Sequence, residues 1–131
     1  MRLFIAVNFS PEALAALLCA RERLRELTNG RGGFTQDTNL HLTLAFLGEI
    51  EPERVDLAVE AMREAHGRAF TLRIDSAGRF RRDGGDIWWA GSDDNLALAA
   101  YQRRLVRELR ARGFVIESRR FAPHVTLARR I

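Results

Sequence analysis

An α+β fold of two related lobes is what the sequence predicts, on three observations. Strand-like and helix-like hydrophobic periods alternate along the chain, yet two neighbouring strand-like stretches flank a Gly84-Gly85 turn. A hairpin among helices excludes a purely parallel sheet. The pattern His41-Leu42-Thr43-Leu44-Ala45 returns as His124-Val125-Thr126-Leu127-Ala128, each time in a strand-like stretch belonging to its own half. The length, 131 residues, fits one domain spanning 1–131 with room for a buried core.

The elements follow in order. Arg2 to Asn8 reads as a buried strand, with Leu3, Ile5 and Val7 on one side and Phe4 and Ala6 on the other. Ser10-Pro11-Glu12 supplies an N-cap, a first-turn proline and a first-turn acid. The helix they open carries Leu14, Leu17, Leu18, Arg21, Leu24 and Leu27 and ends at Asn29-Gly30-Arg31-Gly32-Gly33. Leu40 to Leu47 is the first motif strand. Strict alternation puts His41, Thr43, Ala45 and Leu47 on one face and Leu40, Leu42, Leu44 and Phe46 on a core face. Gly48 breaks the run.

Pro52 opens a second helix with an apolar stripe of Val55, Ala58, Val59 and Met62, ending near His66-Gly67. His66 has no threonine partner and reads as a solvated helix-end residue. Phe70, Leu72 and Ile74 alternate with Thr71, Arg73 and Asp75 as a half-buried strand. Arg79 to Asp86 reads as the hairpin loop and Ile87 to Ala90 as the next strand. Gly91 to Asn95 supplies turn and cap residues for a third helix buried through Leu98, Tyr101, Leu105 and Leu109 and stopped by Gly113. Phe114-Val115-Ile116 follows as a short strand, Arg119 to Pro123 as a loop, and His124 to Ile131 as the second motif strand.

Composition narrows the function classes. With 47% hydrophobic and 29% charged residues the chain reads as a soluble globular protein, and the absence of an apolar run of about 18 residues argues against a membrane span. The segment Arg2 to Val7 is too short for a signal peptide. Single Cys19 can form no internal disulfide, in keeping with a cytoplasmic location, and is expected as a small buried hydrophobe. The net charge of +4 includes no lysine. Arginine forks suit phosphates and bases, so a nucleotide or RNA end is a natural partner, although coding bias explains the composition equally well.

Two of the three histidines open the repeated motif, and a threonine two positions on shares the strand face. Each copy therefore offers one proton-transfer group and one hydroxyl. An imidazole, with an ordinary pKa of about 6.5, can take a proton from water or give one to a departing oxygen, and hydroxyls can donate to phosphate oxygens. Acid/base chemistry on a phosphate ester is the reaction this set suits.

The segments Arg2-Leu3-Phe4-Ile5-Ala6, Asn39 to Glu49 and Arg120 to Arg129 resemble the two-histidine phosphoesterase superfamily, in its RNA 2′,3′-cyclic phosphodiesterase branch, formerly named 2′-5′ RNA ligases. The resemblance implies two pseudo-symmetric lobes of antiparallel sheet and helix around a central cleft. It implies hydrolysis of a 2′,3′-cyclic phosphate at an RNA end to a 2′-phosphomonoester, with neither metal nor other cofactor. His41 would be the general acid, His124 the base, and Thr43 and Thr126 the holders of the phosphate. Phe46 and Arg129, each five residues after its histidine, would contact the base, which requires a bend or bulge in each strand. Members of the branch continue past the second motif, so a second lobe cut short at the C-terminus is expected, with a sheet edge open to self-association.

Two alternatives stand beside this. A metal-dependent phosphoesterase could use the two histidines with Asp37 or Glu49, which flank the first copy, but neither copy supplies a closely spaced ligand pair. A non-catalytic RNA-end-binding module of the same fold would hold the cyclic end without turning it over. A nucleophilic hydrolase lacks its Gly-x-Ser-x-Gly, and Gly30 to Gly33 lacks the Lys-Ser/Thr ending of a phosphate loop.

Overall fold

The computed structural model describes residues 1–92 and 94–131. These form, in order, β1 (Arg2–Val7), α1 (Pro11–Leu27), β2 (Gly33–Phe34), β3 (Leu42–Glu49), α2 (Val55–Glu64), β4 (Ile74–Phe80), β5 (Ile87–Ser92), α3 (Leu96–Ala111) and β6 (His124–Arg129). Short 3-10 turns lie at Asp37–Asn39 and Pro52–Arg54. The α+β class is as predicted. Asp93, within the predicted turn from Gly91 to Asn95, lies outside the described residues. Among the described residues no helix is long and apolar enough to cross a membrane. Contacts gather the chain into two compact units, one of Met1–Ala6, Thr43–Leu72 and Asp94–Ala122, the other of Val7–Leu42, Arg73–Asp93 and Pro123–Ile131.

In the first unit β1 pairs with β3. Just beyond them Met1 and Ile50 exchange backbone hydrogen bonds of 2.8 and 2.7 Å, the reciprocal bonding of an antiparallel pair. Only Ile5 of β1 is buried, and Phe4 is half exposed, so the strand is less covered than its sequence suggests. α2 and α3 pack together, and α3 satisfies the end of α2: Arg104 Nε donates to the Ala65 and His66 carbonyls at 2.7 and 3.0 Å. The buried residues of α2 are Ala58 and Ala61, so the predicted stripe is rotated and leaves Val59 and Met62 about 40% exposed. His66 is exposed past the end of α2, as predicted. α3 begins at Asn95, whose side chain accepts from the Leu98 N–H at 2.9 Å, and buries Leu98, Leu105 and Leu109.

The end of α3 corrects one prediction. The Gly113 N–H bonds to the Arg110 carbonyl at 3.0 Å and the Phe114 N–H to the Leu109 carbonyl at 3.1 Å, with Gly113 at φ +89°, which makes a Schellman stop. Phe114 is the apolar residue that such a stop buries, and Val115 is 89% exposed. Phe114-Val115-Ile116 is therefore a helix stop and not a strand.

In the second unit four antiparallel strands run β2-β6-β5-β4, with α1 against β6. Ser10 caps α1 through the Ala13 N–H at 3.2 Å, and the buried face of the helix is Leu17 and Arg21. Cys19, two residues on from Leu17, falls on the other side and is exposed, contrary to prediction. The predicted strand through Phe70, Leu72 and Ile74 is displaced along the chain to β4. What makes β4 a strand is its partner: Gly78 stands opposite Trp89, and a Cβ there would lie 2.5 Å from the indole. A Cβ at Gly91 would lie 2.7 Å from the same ring, so Trp89 is housed by two missing side chains. The hairpin loop shortens accordingly to residues 81–86. β2 is two residues long and was not predicted. It covers the end of β6 at Ala128 and Arg129, so the sheet edge expected to be open at the second motif is partly closed; among the described residues the outer strands of the sheet are β2 and β4.

Candidate active site

The two motif copies have the same burial, residue by residue. His41 and Thr43 are half-buried, Leu42, Leu44 and Ala45 buried, and Phe46 exposed; His124 and Thr126 are half-buried, Val125, Leu127 and Ala128 buried, and Arg129 exposed. Strict alternation puts the fifth residue outward and the sixth inward, so both copies change phase after the fourth. In β6 the cause is visible in the register: Trp89 pairs with Thr126 and Trp88 with Ala128, so Leu127 is an extra residue in a bulge. The shift turns Ala128 inward and Arg129 outward, to the side of His124 and Thr126. Phe46 obeys the same break in β3, and the prediction that it lies on a core face is corrected: it is 67% exposed.

The second copy sits within a ladder. His124 pairs with Gly91, Thr126 with Trp89, and Arg129 with Gly33. The His124 imidazole meets the Phe80 ring at 5.1 Å, edge to face at 89°, and lies 6.4 Å from the Trp89 ring, while Phe80 and Trp89 are 5.5 Å apart. These two aromatic neighbours were not identified from sequence. Phe80 fell in the predicted loop, and the signal for Trp89 was a bulky ring facing glycines across a hairpin.

The first copy is held differently. His41 precedes β3, and the segment leading to it is tied down by side chains. Arg21, only 8% exposed, donates from Nη1 to the Thr35 carbonyl at 2.8 Å and to Asp37 at 2.5 Å, and pairs with Glu22 at 2.9 Å. The hydrogen bond with Asp37, followed by that with Glu22, raises the Arg21 pKa against the cost of burial, so the guanidinium stays charged. Thr35 in turn donates from Oγ1 to the Thr126 carbonyl at 2.8 Å and from its N–H to the Leu127 carbonyl at 2.9 Å. The run-up to the first histidine is thus bonded to the strand of the second, within one unit. By contact pattern His41, His124, Thr126 and Arg129 belong to that second unit, and Thr43 and Phe46 to the first. In the first, the exposed Phe46 ring lies 6.2 Å from the exposed Phe4 ring.

The carboxylates that flank the first motif are engaged elsewhere, Asp37 with Arg21 and Glu49 with the Met1 ammonium at 3.5 Å. Among the described residues no group of three or more His, Cys, Asp or Glu side chains is placed to hold a metal ion. The glycines Gly32 and Gly85 are packing positions: a Cβ at Gly32 would lie 2.8 Å from the Arg129 carbonyl oxygen, and one at Gly85 2.6 Å from the Arg130 Cα.

Residues 7–89 match the LigT like Phosphoesterase family. An RNA 2′,3′-cyclic phosphodiesterase of Thermotoga maritima is 31% identical over 98% of this chain and 70% of its own length. A protein of the same name from Geobacillus stearothermophilus is 32% identical over 74% of this chain, which spans 32% of that relative. The crystal structure of Escherichia coli LigT in apo form superposes with a TM-score of 0.84 at 28% identity, covering 98% of this chain and 72% of that one. Its complex with 3′-AMP gives 0.79 at 29% identity, covering 98% and 70%. With its antiparallel sheets, three helices among the described residues and paired His-x-Thr motifs, this chain belongs to the LigT-like phosphoesterase family of the two-histidine superfamily.

Proposed function

We propose that the protein is an RNA 2′,3′-cyclic phosphodiesterase that opens a terminal cyclic phosphate to a 2′-phosphomonoester without a metal ion. The observation that carries the reading is the shared burial of the two motifs, in which the histidine, the threonine and the sixth residue are the accessible positions of both copies. The names of the relatives and the 3′-AMP complex of E. coli LigT support a nucleotide or RNA substrate. The occupation of Asp37 by Arg21 supports histidines acting by proton transfer.

In this reading His124 takes a proton from water as the water oxygen bonds to phosphorus. The P–O3′ bond breaks, and His41 gives its proton to the departing O3′. One water is consumed, and the products are a free 3′ hydroxyl and a 2′-phosphate. Thr43 and Thr126 donate to the non-bridging oxygens, where hydrogen bonds strengthen as charge accumulates. Phe46, with Phe4 beside it, offers a face on which the terminal base stacks, and Arg129 offers a planar guanidinium to the same base.

The test is incubation of the purified protein, in excess chelator, with a 2′,3′-cyclic mononucleotide and a short RNA bearing a cyclic phosphate. Turnover to the 2′-phosphomonoester is expected. Loss of activity in chelator would replace the mechanism with a metal-dependent one, a 3′-phosphomonoester would reverse the leaving group, and binding without turnover would leave an RNA-end-binding module.

A further inference from the structure

The β4–β5 turn carries a cation that the reaction above leaves unused. Asp86 organises the turn: its Oδ1 accepts from the Arg82 backbone N–H at 3.3 Å and its Oδ2 lies 3.2 Å from the Arg79 guanidinium. The Gly85 N–H closes the turn onto the Arg82 carbonyl at 3.1 Å. Arg79 is thereby neutralised, and its guanidinium also lies over Trp88 at 5.6 Å. Arg82 is handled differently. Its main chain is held by Asp86, but its side chain is exposed and forms no ion pair among the described residues.

The Arg82 guanidinium lies over the Phe80 ring, 5.5 Å from the centroid, with Nη1 donating to the Arg81 carbonyl at 2.8 Å. That same ring meets the His124 imidazole at 5.1 Å. One aromatic side chain therefore touches both an exposed cation and the histidine of the second motif. A guanidinium resting on a ring keeps its N–H edge open, and that planar fork matches the oxygens of a phosphate. Arg81 and Asp83, both exposed, flank it, and what singles out Arg82 among them is the contact of its guanidinium with the Phe80 ring.

We propose that Arg82 is a second anion subsite, which takes the phosphodiester on the 5′ side of the terminal nucleotide. The proposal rests on the reading of His124 as a group acting on the cyclic phosphate. Set back from the imidazole by the Phe80 ring, the guanidinium serves a neighbouring anion. At an RNA end closed by a 2′,3′-cyclic phosphate, the only neighbouring phosphate lies on the 5′ side. A free cyclic mononucleotide lacks it. Arg82 thus makes the cyclic end of a strand the preferred substrate class.

The experiment compares wild type, Arg82→Gln, Arg82→Lys and Arg23→Gln, the last removing an equal charge from an exposed site on α1. Measured quantities are kcat/KM on a short cyclic-phosphate RNA and on a 2′,3′-cyclic mononucleotide, and the binding of a labelled RNA ending in a 2′-phosphate across a salt series. Arg82→Gln is expected to lower kcat/KM on RNA by about tenfold, through KM, and on the mononucleotide by less than about twofold. Its salt dependence of RNA binding should flatten by roughly 0.7 in log–log slope, the share of one phosphate contact on a single strand. Arg82→Lys should recover part of the loss, and Arg23→Gln should change neither substrate. Equal losses on both substrates, or RNA binding unchanged in Arg82→Gln, would overturn the subsite. A wild type inert on both substrates would instead defeat the reading of His124, and the binding series would still decide Arg82.

Discussion

The two motif copies reach the same exposure pattern by different means. β6 lies between two partner strands, and its ladder, bulge and aromatic neighbours place His124, Thr126 and Arg129 together. His41 stands ahead of its strand, on a segment tied down by a buried arginine and by Thr35, through both its hydroxyl and its backbone N–H. Backbone pairing is a distributed support, shared over many bonds, whereas a side-chain network concentrates the support in a few groups. A repeated motif therefore does not imply a repeated scaffold. The first histidine is expected to be the more easily displaced of the two.

Substitutions can break or sharpen that contrast. The largest effect is expected for His41→Ala and His124→Ala, each lowering kcat by roughly a hundredfold or more, as loss of a general acid or base does. Comparable losses would show that the copies are chemically equal despite their different supports. Next is Arg21→Met, which leaves Asp37 and the Thr35 carbonyl without their donor. By the usual worth of a charged hydrogen bond it should cost about 2 kcal/mol in denaturant unfolding. It should also lower kcat, because the run-up to His41 loses its anchor; full stability and full activity would remove the positioning role.

Smaller effects follow. Thr43→Val and Thr126→Val should each lower kcat by about tenfold with little change in KM, since their hydrogen bonds matter most in the transition state. An effect confined to KM would make them ground-state contacts only. Phe46→Ala should raise KM by about fivefold, the low end of what base stacking is worth at an aromatic, with kcat nearly unchanged. An unchanged KM would return Phe46 to a surface residue without a role.

Much of this was legible in the sequence. Both motif strands, α1 with its Ser10 cap and α3 with its Leu98, Leu105 and Leu109 stripe carry strong local signals, and local signals do not depend on what the chain meets later. β4 was misplaced because Ser76, Ala77 and Gly78 have little strand preference of their own and become a strand only by pairing with Gly91, Ala90 and Trp89. Phe114 was misread because a C-terminal helix stop and a short strand both present one buried apolar residue. Alternation by itself misses the phase of Phe46 and Arg129, because a break in a strand leaves no mark in residue type; only the resemblance required one in each strand. Arg21 looked like one more charge on a solvated helix, and only its partners 14 and 16 residues away show that it is buried and used.

The pH dependence of kcat/KM in wild type and in the two histidine variants tests the division of labour between the copies most directly. One histidine must enter neutral and the other protonated, so wild-type activity should fall on both the acid and the alkaline side. The residual activity of His124→Ala should lose the acid-side fall, and that of His41→Ala the alkaline-side fall. Both falls persisting in both variants would contradict the account.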